Sequence, residues 1–403
     1  MISFAPSDDQ KMMLESVGQL GKSLASRIRE LEKLRAVPED LRKKAHEVGL
    51  GLVAFPESHG GAGLGLVTAV LLEEAIATGD PAAAFGFGGP GSLGYALAEL
   101  GTAEQSAAAL SRYAGDEGHS RFGAVAWGEP RPHPSRAGLT TTATKDGSSW
   151  VLRGDKAYVT NADRADAFVV FAQIDESKGW DGLGAFLVEK SAAGLSIKAR
   201  ETTLGLDVAS FGGLKLDAVR VDDAARLRGG DDFHRSILRF FAKWGLVIAA
   251  REVGLARAAF ETTREYVESR KAFGKPIGHF QAVAFTLADR AMDVDSARAL
   301  VHRAAWMWDA NEKDADALVA SAHAIAHAHE IAMRCGDDGV QLHGGAGFMR
   351  DYPVEKYMRD AKQLNVCGVP AGCADQLAAA VELGRPLDLG LVLPTAESQS
   401  AFV

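Results

Sequence analysis

The chain has 403 residues, of which 47% are hydrophobic and 24% charged, an ordinary globular composition. A net charge of −9 argues against non-specific binding to nucleic acid, and no apolar run approaches the ~20 residues needed to cross a bilayer. The length suggests two or three domains, or one large layered unit, with a core that needs no covalent staples.

Three cysteines, Cys335, Cys367 and Cys373, have no CxxC spacing, and an odd count is a poor disulfide framework. A reducing compartment is therefore expected. The opening MISFAPSDDQ shows no basic stretch followed by an apolar one, so no signal peptide is expected and the cytoplasm is the default location.

From about residue 7 to 120 the pattern is helical. Ser7 caps the first helix with Gln10 at capping-box spacing. Met13, Val17, Leu20, Leu24, Ile28 and Leu31 then recur at steps of three and four along one face. Pro38, Glu39 and Asp40 start a second helix that Gly49 ends. A loop at Gly60, Gly61 and Gly63 precedes an apolar helix from about Leu64 to Thr78, and the glycine-rich stretch Gly86 to Gly94 interrupts again.

From about 121 to 231 the texture changes to short β runs. These are Thr140 to Thr144, Trp150 to Leu152 beyond an Asp146-Gly147 turn, Ala167 to Ile174, Leu183 to Val188 and Leu214 to Val221. From 232 onward long Ala- and Leu-rich helices are predicted at Phe240 to Tyr266, Ala282 to Ala310 and Ala315 to Asp337, as in a four-helix bundle, followed by an extended tail after Leu387. The expected fold class is α+β: an N-terminal helical domain (1–120), a central β domain (121–231) and a C-terminal helical bundle (232–403). No parallel βαβ alternation is seen, which argues against a Rossmann domain.

Four compound motifs follow one another along the chain. They are Leu50-Gly51-Leu52 to Pro56-Glu57 with Gly60-Gly61-Ala62-Gly63-Leu64; Lys156-Ala157-Tyr158-Val159-Thr160-Asn161; Ser269-Arg270-Lys271-Ala272-Phe273-Gly274 with His279-Phe280-Gln281; and Gln341-Leu342-His343-Gly344-Gly345-Ala346-Gly347-Phe348 with Tyr352-Pro353-Val354-Glu355-Lys356 and Arg359-Asp360-Ala361-Lys362. In this order, over nearly the whole chain, they closely resemble the acyl-CoA dehydrogenase family.

The resemblance implies FAD. It places Tyr158 and Thr160 beside the isoalloxazine ring, and Trp127 is a further candidate FAD-binding residue. It places Arg270, Phe273, Gln281, Gln341 and the turn of Gly344, Gly345 and Gly347 against the FAD of a neighbouring subunit. Arg suits a pyrophosphate through paired charge-assisted bonds, and glycines let the backbone come close. The active unit is then a homodimer or homotetramer.

The same resemblance exposes a gap. Its chemistry needs a carboxylate to take a proton beside a thioester carbonyl. The usual position, six residues past Lys362, is Gly368, and the minority position on the first long bundle helix is Trp244. Gly245 stands where an Arg often meets CoA, Ala242 stands for a common Asp, and Asp207 for a common Arg. Gly128 replaces a Thr, and Arg131-Pro132-His133-Pro134-Ser135 replaces a loop of small residues.

Candidate substitutes for the base are few. Glu252 lies about 80° round the helix from Trp244 and Arg251 about 20°, two turns on; a pair inside the bundle is the plainer reading of both. Cys367 adjoins the vacated position but needs a lowered pKa to act. His323 and His327 share a helix face near His329 and Glu330, yet no third ligand is evident and no metal is expected.

The expected function is FAD-dependent oxidation of an unusual acyl thioester, carried by CoA or by an acyl carrier protein. The alternatives are a flavin-dependent monooxygenase-like enzyme on the same fold, a conventional dehydrogenase with its base elsewhere, and a non-catalytic FAD-binding homologue. The electron acceptor is not legible.

Overall fold

The computed structural model describes residues 5–130, 138–229, 232–311, 313–369 and 371–385. The predicted loop at 131–135 and the tail after Leu387 lie outside these residues.

Six helices come first: α1 (Asp8–Ser26), α2 (Ile28–Leu34), α3 (Glu39–Glu47), α4 (Gly65–Ala77), α5 (Gly91–Leu100) and α6 (Ala103–Ala114). Ser7 and Gln10 form the predicted capping box. The apolar stripe predicted as one helix is two, because the chain leaves helical geometry at Arg27 (φ −114, ψ 13); Ile28 and Leu31 still point inward. Helix α4 is buried almost all round, with Glu73 and Glu74 among its buried residues.

Seven strands follow: β1 (Gly123–Ala126), β2 (Thr142–Asp146), β3 (Ser149–Thr160), β4 (Ala167–Gln173), β5 (Leu183–Glu189), β6 (Leu195–Ile197) and β7 (Phe211–Asp222). They make one sheet in the order β1-β4-β2-β3-β7-β6, with β5 beside β4. Strands β1 and β6 escape a pattern search because each is only three or four residues long. Strand β1 pairs in parallel with β4, Gly123 opposite Ala167.

Helix α7 (Phe233–Ser269) runs 37 residues, roughly 55 Å at 1.5 Å per residue. A minute hairpin, β8 (Lys271–Ala272) and β9 (Lys275–Pro276), leads to α8 (Gln281–Asp309), α9 (Asp314–Leu342), α10 (Val354–Leu364) and α11 (Ala371–Glu382). Helices α7 and α9 run longer than predicted, whereas α8 has the predicted length shifted by one residue.

One large core joins α1 to α6, the inner face of the sheet and the bundle, while a second fills the other face of the sheet. Helices α4 and α7 meet closely at Gly254, where a Cβ would lie 2.3 Å from the Glu74 carbonyl oxygen. A buried charge network ties the layers together. Lys356 Nζ donates to Asp80 at 2.8 Å and to Asp360 at 2.5 Å, and Leu206 N–H donates to Asp360 at 2.6 Å. Arg359 adds bonds to Glu32, Glu355 and Asp207. The Arg359-Asp360 motif thus fastens α10 to the N-terminal helices and the sheet.

Candidate functional site

Three groups of residues are brought together by this framework. The first is on the sheet. Ala157 N–H donates to the Gly128 carbonyl at 2.9 Å, which lays the end of β1 against β3. Buried Lys156 reaches under the same segment, donating to the Trp127 carbonyl (3.1 Å) and to Glu129 (3.0 Å). Burial and the Glu129 charge leave the Lys156 ammonium at about 8. For Glu129, burial is outweighed by Lys156 and the Thr140 and Thr141 donors, which bring it to about 2. Tyr158 follows at φ +55, and its ring is 71% exposed. A bulky residue at positive φ is strained unless its surroundings hold it there. Thr160 is half-buried, and Trp127 packs edge-on against Phe171 and Phe241.

The second group is at the far end of α7. Arg270, Gln281, Gln341, Gly344 and Gly345 are exposed, whereas Gly347 is buried, packed so closely that a Cβ would lie 2.1 Å from the Val340 carbonyl oxygen. Phe273, at φ +52, is 96% exposed. Tyr266 stacks on His343 with centroids 4.1 Å apart, which joins the ends of α7 and α9 and so unites these residues. Gly344 sits at φ +56 with nothing within 4 Å of a Cβ.

Along α7, Phe241 and Arg270 are separated by roughly 43 Å. Within one chain the two groups are therefore too far apart to hold one FAD between them. Each group nevertheless fits the cofactor: two aromatic rings held outward at positive φ, a threonine hydroxyl, a free-standing arginine and an open glycine turn.

The third group is a cavity of about 40 Å³, lined among others by Gly51, Ala54, Glu73, Phe87, Tyr95, Trp244 and Arg251. Trp244 fills one side and is 8% exposed. Arg251 Nε donates to Glu73 Oε2 at 2.8 Å, and its guanidinium lies over the rings of Phe85 and Trp244 at 4.3 and 5.5 Å. Burial, reinforced by Glu73, holds the Tyr95 phenol well above its ordinary range, so it stays protonated.

The other candidates fall elsewhere. Glu252 is fully buried and does not line the cavity; His329 Nδ1 meets it at 2.5 Å and His329 Nε2 meets the Val369 carbonyl at 3.0 Å. Both ring nitrogens face acceptors. Burial opposes the charge, but Glu252 and the Val369 carbonyl hold His329 above an ordinary histidine. Burial pushes the Cys367 thiol up to about 12, and its Sγ faces the Gln363 carbonyl. His327 meets Ser296 and His323 meets Glu382, and among the described residues no group of three His, Cys, Asp or Glu could hold a metal. Gly245 packs on Ile325 and Val369 inside the bundle. Sequence reasoning missed Glu73, although two adjacent glutamates on an apolar helix were the available signal.

The helical–β–helical order of the fold is that of a class of FAD flavoprotein oxidoreductases. The acyl-CoA dehydrogenase N-terminal, middle and C-terminal domain models match residues 7–117, 124–219 and 235–368. A "Probable acyl-CoA dehydrogenase YngJ" of Bacillus subtilis is 32% identical over 371 residues, covering 91% of this chain and 95% of the relative. The short-chain specific acyl-CoA dehydrogenase of Clostridium acetobutylicum is 32% identical, covering 88% and 91%. The butyryl-CoA dehydrogenase structure of Megasphaera elsdenii superposes with a TM-score of 0.86 at 28% identity, covering 95% of this chain and all of the other. The prolyl acyl carrier protein oxidase AnaB gives 0.82 at 26%, covering 94% and 100%. The chain belongs to the acyl-CoA dehydrogenase family. Members bind FAD, and no described helix is long and apolar enough to cross a membrane.

Proposed function

We propose that the chain oxidises the α,β carbons of a short acyl thioester presented on the phosphopantetheine arm of an acyl carrier protein. The bound flavin supplies the two-electron acceptor. The observation that carries the reading is the cavity itself: with Trp244 in one wall and Gly368 beside it, about 40 Å³ remains. One water occupies on the order of 10–15 Å³ on this measure, so only a few heavy atoms fit. The carrier is supported by Gly245 and Asp207 standing where the resemblance places arginines, and by the likeness to AnaB.

The chain's own residues have separable roles in this reading. Lys156 and Glu129 set the segment carrying Trp127. Tyr158 and Thr160 border the flavin ring. Arg270, Phe273, Gln281, Gln341, Gly344, Gly345 and Gly347 serve the flavin of a second subunit in a homodimer or homotetramer, because the α7 span separates them from Tyr158. Glu252 stays in its ion pair with His329 and takes no proton from substrate; with no carboxylate at position 368 or 244, oxidation delivers the β-hydride to the flavin and the α-proton to water.

The test is anaerobic mixing of the yellow protein with acyl-CoA and acyl-carrier-protein thioesters of two to six carbons while the visible flavin band is followed. Bleaching by carrier-bound thioesters, faster than by the same acyl-CoAs, is expected. No bleaching by the panel, with normal reduction by dithionite, would overturn the reading. A peroxyflavin band on reoxidation would then favour the monooxygenase-like alternative, whereas its absence would leave a non-catalytic FAD-binding homologue.

A further inference from the structure

The buried Arg251–Glu73 pair that lines the cavity is more elaborate than an alkyl chain requires. Arg251 is 95% buried by its side chain, and Glu73 90%. One guanidinium nitrogen, Nε, is bonded to Glu73, but the buried Nη1 has no hydrogen-bond partner among the described residues. A buried donor without an acceptor is costly, and a substrate atom that satisfied it would recover that cost. The guanidinium lies over the rings of Phe85 and Trp244, which flank it together with Glu73. Tyr95, protonated, lines the same space.

The charges also narrow the ligand. Glu73 balances Arg251, so the pair is neutral as a unit. A carboxylate brought in beside it would be a third buried charge with no counter-ion, which is unfavourable. A plain methyl end would leave Nη1 unsatisfied. A neutral group that accepts from nitrogen and donates to a carboxylate meets both requirements. A hydroxyl or an amide does this.

We propose that Arg251 and Glu73 form a specificity site for an acyl group whose distal end carries a neutral hydrogen-bonding substituent, a hydroxyl or an amide. The Arg251 guanidinium donates to the substituent's oxygen, and the Glu73 carboxylate accepts its proton. The inference rests on reading the cavity as the acyl site. It deepens the proposed function by naming the substrate class, and the carrier that brings the acyl group is immaterial to it.

Pantetheine thioesters test it, because that arm is common to CoA and carrier proteins. The probes are butyryl-, 4-hydroxybutyryl- and succinyl-pantetheine, three chains of equal length ending in methyl, hydroxyl and carboxylate. Binding to the FAD-loaded protein is read as a shift of the visible flavin band, recorded anaerobically and separately from bleaching. The hydroxy chain is expected to bind at least tenfold more tightly than butyryl, and succinyl no more tightly than butyryl. Arg251→Lys retains the charge but removes the planar fork, and the hydroxy preference is expected to fall below threefold. Arg251→Met combined with Glu73→Leu removes both charges together, so it folds without an orphaned carboxylate, and should invert the preference toward butyryl.

Equal binding of all three probes to the unaltered protein would overturn the inference. So would tightest binding of succinyl, or survival of the hydroxy preference in the double variant. Band shifts with the predicted preference but no bleaching would sink the oxidation reading and leave the specificity site standing. Equal bleaching and equal affinity for all probes would do the reverse.

Discussion

Trp244 lies against Gly368: a Cβ at Gly368 would sit 3.5 Å from the indole Cδ1 and 3.1 Å from Cγ1 of Ile248. The two positions from which the family resemblance leads one to expect a carboxylate are thus in mutual contact, and Ile248 is the tightest neighbour of a side chain at 368. Gly368 also sits at φ +90, a conformation that L side chains rarely adopt. Gly368→Glu is therefore expected to lose about 2 kcal/mol or more of stability and to leave flavin reduction no faster. Thermal unfolding and anaerobic bleaching measure the two effects. Faster bleaching in this variant would show that the indole yields and that a base can be restored there.

Trp244→Ala tests the same contact from the other side. Truncating a buried tryptophan typically costs about 3–5 kcal/mol. It should also enlarge the cavity, so that thioesters two to four carbons longer shift the flavin band. Unchanged chain-length selectivity in a folded variant would mean that Trp244 does not set the end of the acyl site.

Lys356 is the keystone of the charge network between layers. It is fully buried, with Asp80 and Asp360 as its two counter-ions, and these hold it above an ordinary lysine although burial opposes the charge. Lys356→Met leaves two buried carboxylates without a cation. Breaking a buried pair this way costs about 3–5 kcal/mol. Asp360→Asn keeps a carbonyl oxygen that can accept from Leu206 N–H and loses only the charge facing Lys356, so it should be milder, because the Asp80 carboxylate remains beside the lysine. Denaturant titration ranks the two, and equal effects would contradict the role of charge imbalance.

Much of this architecture is legible in the sequence, and the parts that are not have physical reasons. The Ser7–Gln10 box and the α4 apolar run are local signals, and the structure bears them out. The break at Arg27 is not legible, because Ile28 and Leu31 keep the same inward face across it. The motifs that carry the resemblance are readable as strings, but their mechanical part is not. Nothing local to Lys156 announces that it runs beneath Trp127 to Glu129, 27 residues away. Glu73 and Arg251 are 178 residues apart and become partners only because Gly254 lets α4 and α7 close. Charged residues in apolar helices were the available clue, and spacing alone could not say which of Glu73, Glu74, Arg251 and Glu252 would face the cavity.

The pair of Glu252 and His329 predicts a pH dependence of stability. His329 titrates above its ordinary value of 6.5, so its contribution is fully present below that value and is lost as pH rises through the folded one. Stability should therefore decline on the alkaline side of neutrality. Glu252→Gln removes the charge that raises His329, and the decline should flatten. The variant should also lose about 2–4 kcal/mol at pH 6, while flavin reduction by an active thioester changes less than threefold. Loss of reduction in a variant that unfolds normally would instead make Glu252 the proton acceptor.

Glu129 and Lys156 predict a second pH dependence, on the acid side and at the Trp127 segment proposed to face the flavin. Burial alone would raise Glu129, but Lys156 and the donors of Thr140 and Thr141 bring it to about 2, from an ordinary 4.5. A depressed carboxylate contributes stability above its unfolded value and loses it as pH falls toward the folded one. The loss should accordingly run from about pH 4.5 down to 2. With allowance for partial solvent screening it amounts to on the order of 2 kcal/mol. Glu129→Gln retains the shape and one acceptor but not the charge, so its stability should be flatter than the parent's over that window. Lys156 then lacks its counter-ion while buried, and its hold on the Trp127 carbonyl weakens. FAD retention on dialysis at pH 7 should therefore fall in Glu129→Gln and in Lys156→Met, by a similar factor of about tenfold. A double variant, Glu129→Gln with Lys156→Met, should be no worse than either alone, because the two side chains act as one support. Additive losses would show that Glu129 and Lys156 serve the Trp127 segment separately.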